Sequence, residues 1–175
     1  SLMLEVPLYG NILHLGLTCV SPLARGKKIT HKLTSKLLIS FLLKESPLSS
    51  CWISNCACVL SSLGNVALYF EDIYPSPLGK KSPSKHHLNI ASYISKRYRQ
   101  PLAINQDAIF DADNFIFQGS VKDAVFEKSA SDTRFYHRNK DLTTYYKNIL
   151  NFDRGDEVLQ IGKVSLLTFP KYLWN

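Results

Sequence analysis

Residues Leu4 to Val20 read LEVPLYGNILHLGLTCV and predict two β-strands. The turn between them is placed at Tyr9-Gly10-Asn11, because glycine and asparagine favour tight reversals of the chain. After this turn, Ile12, His14, Gly16 and Thr18 alternate with three leucines and a cysteine, which is the period of a half-buried strand. Ser21-Pro22 ends the second strand, since proline cannot donate a hydrogen bond to a neighbouring strand.

Two helices with many lysines are predicted on either side of the chain's middle. The first runs from about Thr30 to Lys44, and its inward positions at helical spacing are Leu33, Leu37, Leu38, Phe41 and Leu42. The second begins with Ser82 as N-cap and Pro83 as the first helical residue, and ends near Tyr98. Its inward residues are predicted to be Leu88, Ala91, Ile94 or Ser95, and Tyr98.

The remaining segments predict short elements of both kinds. Cys51 to Leu63 fits either a buried strand or a helix. The other predicted elements are a strand at Val66–Phe70, a strand pair at Asp107–Phe117, a helix at Asp141–Leu150 and a hairpin at Val158–Phe169 around Gly162-Lys163. Together the elements predict an α+β fold, with an antiparallel sheet packed against two to four helices in a single compact domain over residues 1–175.

The composition is that of a globular chain. Of 175 residues, 45% are hydrophobic and 20% are charged, which excludes a disordered chain, a collagen-like repeat and a coiled coil. Four cysteines are too few for a disulfide framework, and no signal peptide or membrane-spanning run is recognisable. We therefore expect an intracellular, reducing location, neither secreted nor transmembrane, and we interpret Ser1-Leu2 as a cloning remnant ahead of Met3.

The positive charge is concentrated in the first three-fifths of the chain. The whole chain has 21 Lys and Arg against 14 Asp and Glu, a net charge of +7. Residues 1–104 hold 12 of these basic residues and 4 acidic ones, so this part alone carries +8. Such asymmetry favours an anionic partner, either nucleic acid or an acidic membrane surface.

Two basic clusters and one loop are the predicted interaction sites. The residues predicted to bind anions are Arg25, Lys27, Lys28, Lys32 and Lys36, followed by Lys80, Lys81, Lys85, Lys96, Arg97 and Arg99. The alternative interpretation is two solvated helix faces. The loop from Pro75 to Pro83 is predicted to be exposed and mobile, and its residues Pro75, Pro77, Leu78 and Pro83 are candidates for contact with a membrane interface or a neighbouring subunit.

Other motifs favour structural roles over chemistry. Cys51, Cys56 and Cys58 lack zinc-site spacing and are interpreted as buried thiols. His86-His87 would point to different helix faces, and Asp111 to Asn114 lacks the rest of a calcium loop. Arg154-Gly155-Asp156 is interpreted as a turn. No catalytic signature or phosphate-binding loop is present, so we predict a non-enzymatic protein without cofactor or metal.

The order of elements resembles that of rhabdovirus matrix proteins, especially of the plant-infecting members. The likeness covers the run from Ile12 to Asn65 and the tail from Asn139-Lys140-Asp141-Leu142 to Val164-Ser165-Leu166-Leu167-Thr168-Phe169. Leu2 to Val6 and Ser84-Lys85-His86 also resemble pieces of a bornavirus matrix protein. The family's Pro-Pro-x-Tyr budding motif is absent from this sequence.

The resemblance implies a viral structural protein of the virion. Such a protein self-associates as a homo-oligomer, coats the inner face of an anionic membrane and condenses the ribonucleoprotein of the nucleocapsid. An alternative function is a cellular accessory module of a ribonucleoprotein complex, because Phe152-Asp153 with Ser165 to Pro170 is similar to the C-terminus of a yeast telomerase accessory OB-fold subunit.

Overall fold

A computed structural model describes residues 1–16, 21, 23, 27, 29–46, 48–79 and 81–167. The chain forms seven strands and four α-helices in these ranges. The strands are β1 (Leu2–Val6), β2 (Gly10–His14), β3 (Cys51–Ala57), β4 (Glu71–Tyr74), β5 (Ile109–Asp111), β6 (Ile116–Gln118) and β7 (Glu157–Val164). The helices are α1 (Ile29–Glu45), α2 (Leu60–Tyr69), α3 (Lys85–Arg97) and α4 (Lys140–Ile149), and Thr133–Phe135 forms a 3₁₀ turn.

Strand β7 lies in the centre of one sheet. It pairs with β3 in antiparallel fashion from Cys51 opposite Val164 to Ala57 opposite Val158. On its other side, β6 pairs with its first residues and β4 with its last ones, giving the order β1-β2-β3-β7-β6-β5 with β4 beside β7. The pairing is antiparallel throughout the described strands except between β2 and β3, which are parallel and joined by α1. The sheet is therefore mixed, where the sequence predicted an antiparallel one.

Helices cover both faces of this sheet, because successive strand residues point to opposite sides. On the outer face, Val164 and Ile53 pack against Leu38 and Leu42 of α1. Further along the same face, Val158 packs against α2 and α4. On the inner face, Leu159 and Ile161 pack against α3, and residues of both β1 and β6 join this cluster. The sheet thus curls around α3 in a single α+β domain.

Gly162 allows β4 to approach β7. A Cβ atom at this position would lie 2.0 Å from Ile73 Cδ1 and 2.9 Å from the Glu71 carbonyl oxygen. Any larger residue would push β4 away from its partner. Gly162-Lys163 is consequently part of a continuous strand, and the predicted hairpin at Val158–Phe169 is wrong as far as the described residues extend.

A hydrogen-bonded polar chain crosses the core on the outer face of the sheet. Gln160 accepts a hydrogen bond from Asn55 Nδ2 at 3.0 Å and donates to Tyr146 Oη at 2.7 Å and to the Leu63 carbonyl at 3.1 Å. Tyr146 Oη donates in turn to the Pro75 carbonyl at 2.9 Å. Because these buried groups are paired, this row of hydrogen bonds fixes α2, α4 and the start of the loop after β4 relative to the sheet.

Several predicted elements are confirmed, and others are corrected. α1, the β5–β6 pair and α4 form where the sequence predicted them. The first hairpin also forms, but its turn covers residues 7–9 and not Tyr9-Gly10-Asn11, because Gly10 and Asn11 already pair with β1. The segment Cys51–Leu63 contains both alternatives, a strand and then the first turn of α2. The predicted strand at Val66–Phe70 is wrong, because these residues continue α2, and the strand follows at β4.

The start of α3 also differs from the prediction. Its N-cap is Ser84 and not Ser82: Ser84 Oγ accepts from the His87 backbone N–H, and His87 Nδ1 accepts from the Ser84 N–H. His87 Nε2 also donates to the Asp72 carbonyl at 2.7 Å, which joins α3 to β4. This inward role of His87 moves Leu88 outward, where the sequence placed it inward.

We predict that His14 makes stability depend on pH. His14 is buried beside Ser54, 2.9 Å from its Oγ, and burial together with the nearby N-terminal ammonium lowers its pKa to about 4. Below about pH 6.5 the unfolded state therefore binds more protons at this residue than the folded state does. The contribution of His14 to the free energy of unfolding is constant above that pH and decreases as the pH falls towards about 4. We expect urea unfolding to show a loss from this residue of about 2 kcal/mol between about pH 7.5 and 5.

His14→Gln should lose less stability over the same pH interval, while the exposed-residue control His86→Gln should behave like the unmodified protein. An identical pH dependence of His14→Gln and the unmodified protein would contradict the assignment.

Candidate anion-binding surfaces

The outward side of α1 combines lysines with leucines. Lys32, Lys36 and Lys44 are exposed, and Leu33 and Leu43 beside them are 56% and 58% exposed. The buried side of the helix consists of Ser35, Leu38, Phe41 and Leu42. We call these three lysines and two leucines the α1 surface. The prediction that Leu33 faces inward is wrong. α1 has more apolar residues than one buried stripe can hold, so some of them must face outward.

The outward side of α3 is basic and mostly polar. Lys85, Lys96 and Arg97 are exposed, whereas His87, Ile90, Ala91, Ile94 and Ser95 form the buried side. No acidic residue occurs in this helix. We call Lys85, Lys96 and Arg97 the α3 surface.

The two surfaces lie on opposite faces of the sheet. α1 packs on the side to which Ile53 and Val164 point, and α3 packs on the side to which Leu159 and Ile161 point. Neighbouring residues of β7 point to opposite faces, so the two helices lie on opposite sides of the sheet. A flat anionic surface that contacts one helix therefore cannot contact the other. The sequence predicted both clusters but contained no information on which faces they occupy.

Arg99 is engaged within the protein. Its guanidinium donates to the carbonyl oxygens of Ser95 at 2.8 Å, Gln106 at 2.9 Å and Ala108 at 2.6 Å. Its Cζ also lies 5.4 Å from the centroid of the Phe117 ring. Because these contacts hold the segment after α3 against the sheet, we leave Arg99 out of the α3 surface.

The other predicted site residues are placed in different surroundings. Lys27 and Lys81 are exposed next to the starts of α1 and α3. Arg25, Lys28 and Lys80 lie outside the described residues, so their participation stays a prediction.

The loop between β4 and α3 is anchored at its start. Pro75 and Ser76 are buried, and the Pro75 carbonyl accepts the hydrogen bond from Tyr146. Pro77 and Leu78 are exposed, while Pro83 is half-buried next to the N-cap of α3. Of the predicted interaction loop, the part from Pro77 to Gly79 is therefore the part available for contact with a partner.

Burial raises the pKa values of three thiols and of one carboxylate. Burial raises the pKa of the Cys58 thiol to about 11, and burial also raises the pKa of Cys51 and Cys56. Burial likewise raises the pKa of Glu157, which accepts a hydrogen bond from Ser120 Oγ at 2.5 Å. Thiols with raised pKa values are poor nucleophiles at neutral pH, which supports the structural interpretation of Cys51 and Cys58, both buried.

A cleft of about 230 Å³ separates the first turns of α1 and α2. Its polar lining consists of Thr30, Thr34, Asn55, Ser61, Ser62 and Asn65. Hydroxyl and amide groups offer hydrogen bonds to a ligand, but they do not form a general acid–base pair.

Neither a metal centre nor a membrane-spanning helix is found within the described ranges. No group of three or more His, Cys, Asp or Glu side chains in these ranges is arranged to hold a metal ion. The α-helices of the same ranges are all too short or too polar to cross a bilayer.

No protein-family model, curated protein or solved structure matches this chain.

We predict that Arg99 and Arg97 differ sharply in their effect on stability. Arg99→Ala should lower the free energy of unfolding by about 2 kcal/mol, because three backbone carbonyls lose a charged donor. Arg97→Ala, two residues away and exposed, is the matched control and should change stability by less than about 0.5 kcal/mol. Equal effects of the two substitutions in urea unfolding would contradict the role of Arg99.

Proposed function

We propose that this protein is a non-enzymatic, viral matrix-type structural protein that connects an anionic membrane to a ribonucleoprotein. The observation that supports this best is the separation of the α1 and α3 surfaces onto opposite faces of one sheet. A protein with a single anionic ligand gains most from cationic groups that converge on one face. A protein that connects two anionic partners needs cationic groups that face apart.

The α1 surface suits a membrane. Each lysine near an anionic leaflet contributes about 1 kcal/mol to binding, and this contribution decreases with salt. Leu33 and Leu43, placed between the lysines, can enter the boundary between headgroups and acyl chains, as in helices that lie in a membrane interface. A nucleic acid would offer these leucines no comparable environment.

The α3 surface suits a phosphate backbone. Lys85, Lys96 and Arg97 lie on the same side as the polar residues Asn89 and Ser92, and no carboxylate of α3 opposes them. Neutralisation of phosphates by such residues releases counterions, so binding to RNA should weaken steeply as salt rises. The absence of a recognisable base-reading motif fits contact with the backbone alone.

Self-association is part of the same proposal. β1 and β5 end the strand order, so each has one edge without a neighbouring strand among the described residues. The exposed acidic residues Asp107, Asp113 and Asp153 lie in the second part of the chain, whereas the basic surfaces lie in the first. Contacts between the α1 or α3 surface of one copy and these acidic residues of another copy would be sensitive to salt.

A second candidate is an accessory module of a ribonucleoprotein complex without membrane contact. It is favoured by the aromatic group of Tyr9, Trp52 and His86, with ring centroids 5.8–6.1 Å apart, beside Lys163. Stacked bases could use such a group together with lysines. The two candidates differ in whether the α1 surface binds vesicles.

We predict that charge reversal separates the two activities. In flotation of phosphatidylserine–phosphatidylcholine vesicles with labelled single-stranded RNA, the unmodified protein should carry RNA upward with the vesicles. Lys32→Glu with Lys36→Glu should weaken vesicle binding by roughly 30-fold while RNA binding persists. Lys96→Glu with Arg97→Glu should weaken RNA binding while vesicle binding persists.

Lys140→Glu with Lys147→Glu, on α4, is the control with the same change of charge and should keep both activities. Equal loss of both ligands in both variants, or equal binding to neutral vesicles, would contradict the proposal. If the unmodified protein binds RNA but no vesicles, and only the Lys96→Glu/Arg97→Glu variant loses RNA binding, the result would favour the accessory module.

We also predict self-association that depends on salt. Size-exclusion chromatography with light scattering should give masses above the monomer mass of 19.8 kDa at low ionic strength, and the monomer mass at about 0.5 M salt. A monomer at both ionic strengths would exclude this part of the proposal.

A further inference from the structure

Three loops meet at one end of the sheet. The turn between β1 and β2 covers residues 7–9, residues 46 and 48–50 lie in the connection before β3, and residues 165–167 follow β7. The register places the start of β2 beside the start of β3, and Cys51 of β3 opposite Val164 of β7. Because adjacent strands are about 4.8 Å apart, the loops project side by side within about 10 Å.

Each of these loops carries a leucine with almost no contact to the protein. Leu8 is 98% exposed, Leu48 is 100% exposed and Leu167 is 88% exposed. Single exposed leucines are common, but three on adjacent loops form a feature that needs a cause. We call this group the leucine end.

The described part of the fold does not account for these leucines. None of the three belongs to a core cluster formed by the described residues. Leu8 also has a φ of +70°, a left-handed conformation in which glycine or asparagine would be favoured and leucine is costly. Neither packing nor turn geometry therefore favours leucine at this position.

Aromatic and basic side chains lie directly behind the leucine end. Trp52 is half-buried, with the Tyr9 ring 5.9 Å and the Lys163 Nζ 4.5 Å from its centroid. Tyr9 Oη contacts His86 Nδ1 at 3.2 Å. Tyrosine and tryptophan with one apolar and one polar end are typical of the headgroup level of a bilayer, where lysines extend their charge into water.

The charges at this end are largely balanced. Lys163 Nζ lies 3.7 Å from Asp72 Oδ2, and the negative charge of Glu45 adjoins the positive charge of Lys44 in the last turn of α1. Electrostatic attraction is therefore weak here, unlike on the α1 surface. Contact made by the leucines should persist at high salt.

We infer that the leucine end inserts into the interface of a lipid bilayer and supplies a salt-resistant anchor beside the α1 surface. The two regions are continuous, because Leu43 and Lys44 belong to the last turn of α1, which ends at this end of the sheet. A bilayer is the occupant that fits isolated tips on separate loops: acyl chains adapt to each leucine, whereas a protein partner would need three separate pockets. The inference rests on the proposed membrane function.

The test measures vesicle binding at low salt and at about 0.5 M salt, where lysine contacts are screened. The variant is Leu8→Asn, Leu48→Ser and Leu167→Ser, with asparagine chosen because it tolerates the left-handed conformation. Binding at high salt should fall by at least about tenfold, the effect of removing one fully buried leucine. Val125→Ser with Ile109→Ser, at exposed positions away from the leucine end, is the control and should keep its binding.

The outcomes separate this inference from the proposed function. Loss of binding in Lys32→Glu/Lys36→Glu with none in the leucine variant would overturn the anchor and leave the proposed function intact. Loss in the leucine variant with none in the lysine variant would support the anchor and count against the α1 surface. A lower mass of the leucine variant in light scattering, with unchanged vesicle binding, would assign the leucine end to a second copy and overturn the inference. Unfolding curves that match the unmodified protein establish that the variant is folded.

Discussion

The burial of β7 on both faces is the constraint on which the rest of the structure depends. β7 has strands on both sides, β3 on one and β6 and β4 on the other, and its side chains enter different cores on the two faces. Apolar side chains on both faces must be removed from water, so one helical layer is not sufficient. α1, α2 and α4 supply one layer, and α3, inside the curl of the sheet, supplies the other.

This arrangement determines where the positive charge lies. α1 and α3 are the two described helices richest in exposed basic residues, lysine and arginine together, and the burial of β7 places them on opposite faces. The uneven charge of the chain is thus divided in space between two surfaces. The charge alone fits one anionic partner, and its division between two faces is the basis on which we propose two.

The two surfaces also differ in chemical character. The α1 surface has leucines between its lysines and continues into the leucine end, whereas the α3 surface is basic and polar. The neighbouring Arg99, which has the same charge, serves the fold by donating to one carbonyl of α3 and to two carbonyls of the segment after it. Charge therefore becomes informative about function after the hydrogen bonds of each basic side chain are known.

Elements whose signals are local could be predicted from the amino-acid sequence. The first hairpin, α1, the β5–β6 pair and α4 follow from turn residues and from helical or alternating spacing within about a dozen residues. The exposure of Lys32, Lys36, Lys85, Lys96 and Arg97 also follows, because lysine and arginine rarely lose contact with water.

Other features depend on residues far apart in the sequence, and they became known from the folded chain. Val66–Phe70 has the composition of a strand but continues α2, because short apolar runs fit either element until their neighbours are known. Gly162-Lys163 looks like a turn but lies in β7, where Ile73 from another strand needs the space of the missing side chain. The pairings between β2, β3 and β7 place α1 and α3 on opposite faces of the sheet. The same pairings bring the three loops that carry the exposed leucines to one end of the sheet. The residues that pair β3 with β7 are more than a hundred positions apart in the sequence, and no local pattern encodes which face or which end such pairings create.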